Sequence, residues 1–141
     1  MRITTKGRYA LRAVLSLAQS NGTKPVSIKQ LAAQEKLSPE FLEQIFFKLK
    51  NTGVIISTRG PGGGFKLNRD PKDITLLEII EGAGEETDIT PCASLTTQRK
   101  ECPEMKDCNA HKVWKKTAEY VKDYFSGITL ESILAESSPA E

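Results

Sequence analysis

Three cysteines and the only histidine of the 141-residue sequence lie within one short segment. Nine residues separate Cys92 from Cys102, five separate Cys102 from Cys108, and His111 lies three positions after Cys108. Three thiolates and one imidazole make a complete tetrahedral ligand set for Zn²⁺, but structural zinc sites usually contain a cysteine pair closer together than any here. Wide spacing favours an iron–sulfur cluster in which His replaces one thiolate. The spacing leaves three alternatives: a cluster, Zn²⁺, or free, redox-active thiols.

A second set of polar side chains occupies the outer face of a predicted helix over residues 39–51. Gln44 can make two hydrogen bonds to adenine in the major groove of DNA, and Glu43 can accept one from cytosine N4. Because a carboxylate repels phosphate, Glu43 would mainly reject wrong bases, and Glu40 lies at the margin of the same face. Phosphate contacts position a protein without reading sequence. We expect them from basic side chains of the first half: Lys6, Arg8, Arg12, Lys29, Lys48 and Lys50.

A glycine-rich turn over residues 60–64 directly follows Arg59. At the tip of a β-hairpin, the Arg59 guanidinium can enter a minor groove, where narrow A·T-rich stretches concentrate negative potential. Glycine gives the backbone of such a turn, from Gly60 onward, the freedom to adopt positive φ and to approach DNA closely. Nucleotide-binding loops are also rich in glycine, but this one lacks the Lys-Ser/Thr pair of a P-loop. The sequence therefore predicts DNA contacts at Arg59 and Gly60.

Helix signals place these side chains on a three-helix unit. Apolar residues recur every three or four positions over residues 5–20, which predicts a first amphipathic helix. Ser27 and Gln30 form a capping-box pattern for a second helix. Ser38 then serves as N-cap and Pro39 as first residue of the third helix, whose inward residues are Phe41, Leu42, Ile45, Phe46 and Leu49. Two short helices followed by a third predict a helix-turn-helix.

Two short strands complete this unit. Residues 53–59 are rich in β-branched side chains, and residues 65–67 alternate like a returning strand. A β-hairpin directly after a recognition helix is a wing. The predicted fold is therefore mainly α, with a winged helix-turn-helix DNA-binding domain over residues 1–70, a β-hairpin wing, and a long C-terminal dimerisation helix.

The second half of the sequence predicts a connecting helix, a loop and a long helix. Thr75 caps a short helix within residues 71–87, and residues 88–111 form a loop that carries the cysteines and the histidine. Residues 110–135 form a dimerisation helix and a terminal helix, and residues 136–141 a disordered tail. Aromatic residues are typical of protein–protein interfaces, and the stripe that we expect to form one consists of Val113, Trp114, Thr117, Val121, Tyr124 and Phe125.

The net charge of +2 hides a strong division along the chain. Residues 1–70 contain twelve Lys and Arg against four acids, for a charge of +8, whereas residues 71–141 contain eight against fourteen, for −6. A basic half joined to an acidic half is expected when only one of them meets nucleic acid. No apolar stretch has the roughly 20 residues of a membrane span, and we see no signal peptide. We therefore expect a cytoplasmic protein with reduced thiols and no membrane contact.

Three stretches of the sequence resemble the Rrf2 family of bacterial winged-helix transcription regulators. They are residues 1–10, residues 41–46 and, above all, the wing sequence Arg59–Phe65. The resemblance extends over residues 1–135, and within the family it is greatest to the branch that regulates iron–sulfur cluster assembly. It implies a homodimer that crosses at the long C-terminal helix and binds imperfect palindromes in double-stranded DNA.

The resemblance also implies specific site residues. It implies base contacts from Glu43 and Gln44 and a minor-groove contact from Arg59. In members of the cluster-assembly branch three Cys and one His hold a [2Fe–2S] cluster, and the matching positions here are Cys92, Cys102, Cys108 and His111. Two positions depart from the family pattern. The gap between the first two cysteines is usually five residues rather than nine, and position 40, Glu here, is a small polar residue in the regulator of iron–sulfur cluster assembly.

Other branches of the family sense differently. A nitric-oxide-sensing branch holds a [4Fe–4S] cluster with an N-terminal acidic ligand, where this chain has Arg8 and Arg12, and a cysteine-metabolism branch has no cluster. We therefore expect a non-enzymatic, homodimeric regulator that senses iron–sulfur or redox status through a [2Fe–2S] cluster. The alternatives are a regulator of the same fold that senses through thiols or Zn²⁺, and a small electron-transfer protein, against which the basic half and the wing argue.

Overall fold

The computed structural model describes residues 1–20, 24–94 and 105–136. Its first three elements are helices α1 (Thr5–Gln19), α2 (Ile28–Glu35) and α3 (Pro39–Thr52), in the order that the sequence predicts. A two-stranded hairpin follows them, and three further helices complete the described part of the chain. The predicted fold class, mainly α with a winged helix-turn-helix, is confirmed.

Capping side chains explain where α2 and α3 begin. The Ser27 hydroxyl accepts from the Gln30 N–H at 3.1 Å, and Gln30 Oε1 accepts from the Ser27 N–H at 3.2 Å, which completes the predicted capping box. The Ser38 hydroxyl accepts from the Phe41 N–H at 3.4 Å, and Pro39 occupies the first helical position. These caps satisfy N–H groups that have no partner within a helix. Both helix starts are therefore fixed by local chemistry.

The wing consists of strands β1 (Ile55–Thr58) and β2 (Gly64–Leu67), paired antiparallel with Ile55 opposite Leu67 and Thr58 opposite Gly64. Its second strand is also held to the segment before α2, because Val26 and Phe65 exchange two backbone hydrogen bonds of 2.8 Å. Gly64 has a φ of +153°, and a Cβ there would lie 2.4 Å from the Val26 carbonyl. Glycine is therefore required where the wing joins the helical part.

The second half contains helices α4 (Leu76–Gly82), α5 (Asn109–Gly127) and α6 (Leu130–Glu136). Thr75 caps α4 in the predicted way and forms a capping box with Glu78. The predicted loop is not wholly irregular, because short 3₁₀ turns occupy residues 91–93 and 105–107. The predicted tail begins at the last residue of α6, and residues 137–141 lie outside the described part. None of the helices in the described residues is long and apolar enough to cross a membrane.

The core lies between α1, α2, α3, α4, α6 and the wing. Phe46 is fully buried, and its ring meets that of Phe65 edge to face, with centroids 5.2 Å apart. Burial of such a side chain contributes about 1.5–3 kcal/mol to stability. The buried cluster in the described residues contains no side chain of α5 and consists of Ala10, Ala13, Val14, Leu17, Leu31, Ala32, Leu42, Ile45, Phe46, Leu49, Val54, Ile55, Ile74, Ile79, Ala83 and Leu130. Helix α5 therefore packs on the outside of this core.

Candidate nucleic-acid interface and metal centre

The outer face of α3 carries the side chains that the sequence predicts to read bases. Glu40, Glu43 and Gln44 are all exposed there, as are the predicted phosphate contacts Lys48 and Lys50. Within the described part of the chain, the side chains of Glu43 and Gln44 form no hydrogen bond. Their donors and acceptors are therefore available to an external partner.

The carboxylate of Glu40 differs from its neighbours because it is held locally. The Ser38 hydroxyl donates to Glu40 Oε2 at 2.8 Å. The backbone N–H of Glu40 and this hydroxyl hold the pKa of Glu40 below its usual value of 4.5. Glu40 is therefore ionised at neutral pH, where its negative charge repels phosphate, and one of its oxygens already accepts from the N-cap of α3.

The wing tip presents the predicted arginine to solvent. Arg59 is exposed, directly after β1, and Gly60 next to it has a φ of +93°. The Gly63 N–H donates to the Gly60 carbonyl at 2.9 Å and closes the turn. Among the described residues Arg59 has no ion-pair partner, so its guanidinium can meet a groove or a phosphate.

The basic side chains of α1 are less free than those of α3. Arg12 pairs with Glu35, with Nη2 3.2 Å from Oε2, and the same nitrogen donates to the Glu35 carbonyl at 2.8 Å. Arg8 and Arg12 both lie over the ring of Tyr9, at 5.8 and 5.5 Å from its centroid. Lys6 donates to the Gly84 carbonyl at 3.3 Å. Arg12 therefore ties α1 to α2, and of the three side chains only that of Arg8 has no hydrogen bond in the described structure.

A buried carboxylate joins α1 to the chain that follows α4. Glu85 is only 8% exposed, and its Oε1 accepts from the N–H groups of Thr4 and Gly7, both at 2.8 Å, and from the Thr4 hydroxyl. A Cβ on Gly7 would lie 2.8 Å from Glu85 Cγ, so that glycine is required for this approach. The contact spans most of the chain, and no local pattern in the sequence signals it.

Hydrogen bonding keeps Glu85 ionised despite its burial. Burial alone raises the pKa of Glu85, but the hydrogen bonds from Thr4 and Gly7, together with the charge of Lys6, outweigh it and hold the pKa below 4.5. A group with a lowered pKa stabilises the fold above its ordinary pKa and loses that contribution as the pH falls through the lowered value. Glu85 is therefore a source of acid-sensitive stability.

The described cysteines lie at the two ends of the predicted metal site. Cys92 is in the 3₁₀ turn Pro91–Ala93, which packs against α5, and the Thr90 hydroxyl lies 3.3 Å from its sulfur. Cys108 is the N-cap of α5, and its sulfur accepts from the His111 N–H at 3.4 Å. Both are free thiols, whereas Cys102 lies outside the described residues. In the described part of the chain, no three His, Cys, Asp or Glu side chains converge as they would around a metal ion.

The imidazole of His111 is buried at the start of α5. It is 8% exposed on the domain-facing side of α5, and its buried Nδ1 has no hydrogen-bond partner among the described residues. A buried polar atom without a partner costs about 1–3 kcal/mol, and each such atom in a native protein calls for an explanation. His111 and Cys108, whose thiol is free, lie in the same helical turn, and imidazole and thiolate are the donors of a thiolate- and imidazole-bound metal group. In donor chemistry the residues present therefore fit such a group.

Some residues of the predicted interface stripe on α5 pack against the rest of the subunit, and others are exposed to solvent. Val121 and Phe125 are half-buried, beside Leu77 of α4. Val113, Trp114 and Tyr124 are exposed, and Thr117 is half-buried. The sequence stripe did not include Tyr120, which is 66% exposed and lies one turn from Tyr124. We call four residues at successive spacings of four, three and four the outward set of α5: Val113, Thr117, Tyr120 and Tyr124. This spacing, which is visible in the sequence, could have identified Tyr120.

Comparison with known proteins finds relatives of this chain over nearly its whole length. The family model Rrf2, described as iron-dependent transcriptional regulator, matches residues 3–136. The HTH-type transcriptional regulator IscR of Photorhabdus laumondii is 34% identical over 134 residues, which cover 95% of this chain and 79% of that protein.

Two solved structures are similar over nearly the whole chain. IscR from T. potens has a TM-score of 0.73 and 30% identity, and the match covers 100% of this chain and 93% of that one. CymR, the global cysteine regulator of B. subtilis, has a TM-score of 0.77 and 30% identity, with 98% and 99% covered.

Glu85 generates a prediction about acid stability. We expect Glu85→Gln to lower the free energy of unfolding at pH 7 by about 1.5–3 kcal/mol, the usual contribution of hydrogen bonds to a charged group. The difference from the unaltered protein should shrink as the pH falls from 4.5 through the lowered pKa of Glu85, because the carboxyl of the unfolded chain and then that of the native protein takes up a proton. Urea unfolding at a series of pH values measures both effects. The exposed neighbour Glu86 provides the control Glu86→Gln, and a pH-independent difference for Glu85→Gln would contradict the assignment.

Proposed function

The chain belongs to the Rrf2 family of transcriptional regulators, and on that premise we propose that it is a homodimer that reads an imperfect palindrome with α3 and the wing and senses iron–sulfur or redox status through a [2Fe–2S] cluster. It is a DNA-binding regulator rather than an enzyme. The proposal adds three assignments to this membership: the DNA-reading side chains, the cluster ligands and the pairing surface.

The DNA-reading assignment depends mainly on the outer face of α3. Glu43 and Gln44 are exposed there, with no internal hydrogen bonds among the described residues, and Lys48 and Lys50 follow them. In a helix-turn-helix the recognition helix lies in the major groove. With Gln44 and Glu43 at base edges, the wing can then extend Arg59 toward the flanking minor groove. Net positive charge of the first half favours the approach to phosphate.

The wing contact predicts a sequence-dependent loss of affinity. Arg59→Ala should weaken binding by about 1–3 kcal/mol on operators with A·T-rich flanks and by less on operators with G·C-rich flanks. Arg59→Lys, which retains the charge but not the planar guanidinium, serves as the matched control. Binding isotherms at fixed salt with flank-substituted duplexes measure the difference. An equal loss on all flanks would show that Arg59 contacts phosphate instead.

Four residues would hold the cluster: Cys92, Cys102, Cys108 and His111. Support comes from the buried Nδ1 of His111, which has no partner in the described part of the chain, from the free thiol of Cys108 at the same helix start, and from the packing of the Cys92 turn against α5. A bound [2Fe–2S] cluster supplies one-electron redox chemistry and sensitivity to oxidants. The chain's own part is to hold the ligands between two fixed points, the Cys92 turn and the start of α5.

Similarity to CymR, named as a cysteine regulator, favours a second candidate function. In that case the same fold would sense through thiols, or through Zn²⁺ on the same donors, without a cluster. The half-exposed thiols of Cys92 and Cys108 are accessible enough for such chemistry. The two candidates differ in colour and in metal content, so a single preparation of the protein separates them.

The cluster assignment predicts a coloured protein. Chain purified without oxygen should absorb visible light and contain about two iron and two sulfide per subunit, as a [2Fe–2S] cluster requires. His111→Ala should shift the visible spectrum or shorten the lifetime of the cluster in air, whereas Lys112→Ala, at an exposed neighbouring position, should not. Colourless protein with stoichiometric zinc would contradict the cluster. An unchanged spectrum in His111→Ala would remove only His111 from the ligand set.

The pairing surface is assigned to the outward set of α5 together with the exposed Trp114 beside it. Val113, Tyr120 and Tyr124 are 56%, 66% and 68% exposed. Exposed apolar side chains at alternating four- and three-residue spacing are typical of a seam between two helices. Val121 and Phe125, which lie beside α4, would support the helix from behind rather than meet the partner.

Charge placed in this seam should separate the subunits. We expect Tyr124→Glu to raise the dimer dissociation constant by about 30-fold or more, equivalent to the loss of about 2 kcal/mol at an interface hot spot. Lys115→Glu, a charge change on another side of α5, should leave the dissociation constant nearly unchanged. Analytical ultracentrifugation over a dilution series measures both. Equal behaviour of the two variants would contradict the assigned seam.

A further inference from the structure

Phe47 is an exposed apolar side chain in the middle of the polar reading face. Its ring is 67% exposed, although Phe is normally buried. Other large exposed apolar side chains of the described residues lie at Met1 or on α5. Phe47 therefore stands alone on the helix-turn-helix, and packing of the subunit itself does not explain it.

Its position on α3 places it beside the proposed base-reading residues. Phe47 follows Gln44 by three residues and Glu43 by four, and residues at these spacings are neighbours on one helix face. One helical turn advances about 5.4 Å, which is less than two base-pair steps of about 3.4 Å. When Gln44 is at a base edge, Phe47 is therefore within reach of a base pair one or two steps away.

The major groove offers one apolar group that such a ring can contact, the 5-methyl group of thymine. The surroundings favour DNA over a protein partner, because Phe47 is followed directly by Lys48 and both it and Lys50 are exposed. A protein-binding patch would be expected to contain several adjacent apolar residues, whereas exposed Glu43, Gln44 and Lys48 surround this one.

We propose that Phe47 determines specificity by packing against the methyl group of a thymine in the operator. This inference rests on the proposed entry of α3 into the major groove. It adds an apolar contact to the polar readout by Glu43 and Gln44, and it predicts that one base pair near theirs is selected as T·A without a hydrogen bond from the protein.

Deoxyuridine tests the contact because it differs from thymidine only by the missing methyl group. The operator is first obtained by in vitro selection with the full chain, and each thymine is then replaced in turn by deoxyuridine. At one position the unaltered protein should lose about fourfold in affinity, the fold-change that corresponds to one buried methyl group. Phe47→Ser should bind the two duplexes equally, while Phe47→Leu should retain part of the discrimination.

A matched variant separates this effect from general weakening. Lys50→Ser should bind every duplex less tightly yet keep the same fourfold preference for thymine. The inference is overturned when no deoxyuridine substitution weakens the unaltered protein, or when Phe47→Ser shows the same loss as the unaltered protein. If the unaltered chain selects no operator at all, the proposed function itself fails, which is a separate and recognisable result. Circular dichroism of each variant confirms that it is folded.

Discussion

The carboxylate of Glu85 fixes how the two halves of the molecule meet. It accepts hydrogen bonds from Thr4, the N-cap of α1, and from Gly7 in the first turn, so that a buried charge, which would otherwise be costly, is satisfied. Helix α1 supplies part of the core of the basic half, and Glu85 lies just after α4. Together with the packing of α4 against α1, this side chain therefore holds the point from which the acidic half continues toward Cys92.

Several elements converge on this junction. Lys6 donates to the Gly84 carbonyl, and Lys48 of α3 reaches the same residue, where a Cβ on Gly84 would lie 3.0 Å from its Nζ. In the proposed regulator, α3 and the segment that leads to the cysteines are thus both in contact with Gly84. A ligand can shift DNA affinity only by stabilising one arrangement of these parts over another. Because few residues separate Glu85 from Cys92, the fixed position of Glu85 limits how far Cys92 can move.

The features that sequence reasoning captured are those governed by neighbouring residues. Caps at Ser27, Ser38 and Thr75 depend on side chains within three positions, and the wing depends on β-branched strands and a glycine turn, so local rules suffice. Such local rules do not predict contacts between segments that are far apart in the sequence. Nothing near Thr4 or Glu85 in the sequence announces their hydrogen bonds, and the pairing of Arg12 with Glu35 could not be foreseen from its charge, which suggested a phosphate contact.

Helix α5 also shows what a sequence pattern leaves undetermined. Periodicity defines an apolar stripe but not which sector meets α4, and the structure turns His111 and Ala118 toward the domain while Tyr120 and Tyr124 face outward. A helix transmits rotation as a rigid body, so the proposed ligand at its start and the proposed seam along its outer side cannot move independently. In the proposed homodimer, ordering of the His111 end would change the angle at which the two subunits cross, and with it the spacing of the two α3 helices that the proposed palindrome requires. Because α5 contacts the domain on one face and would contact the partner subunit on the other, binding of a ligand at its start could change the affinity for DNA.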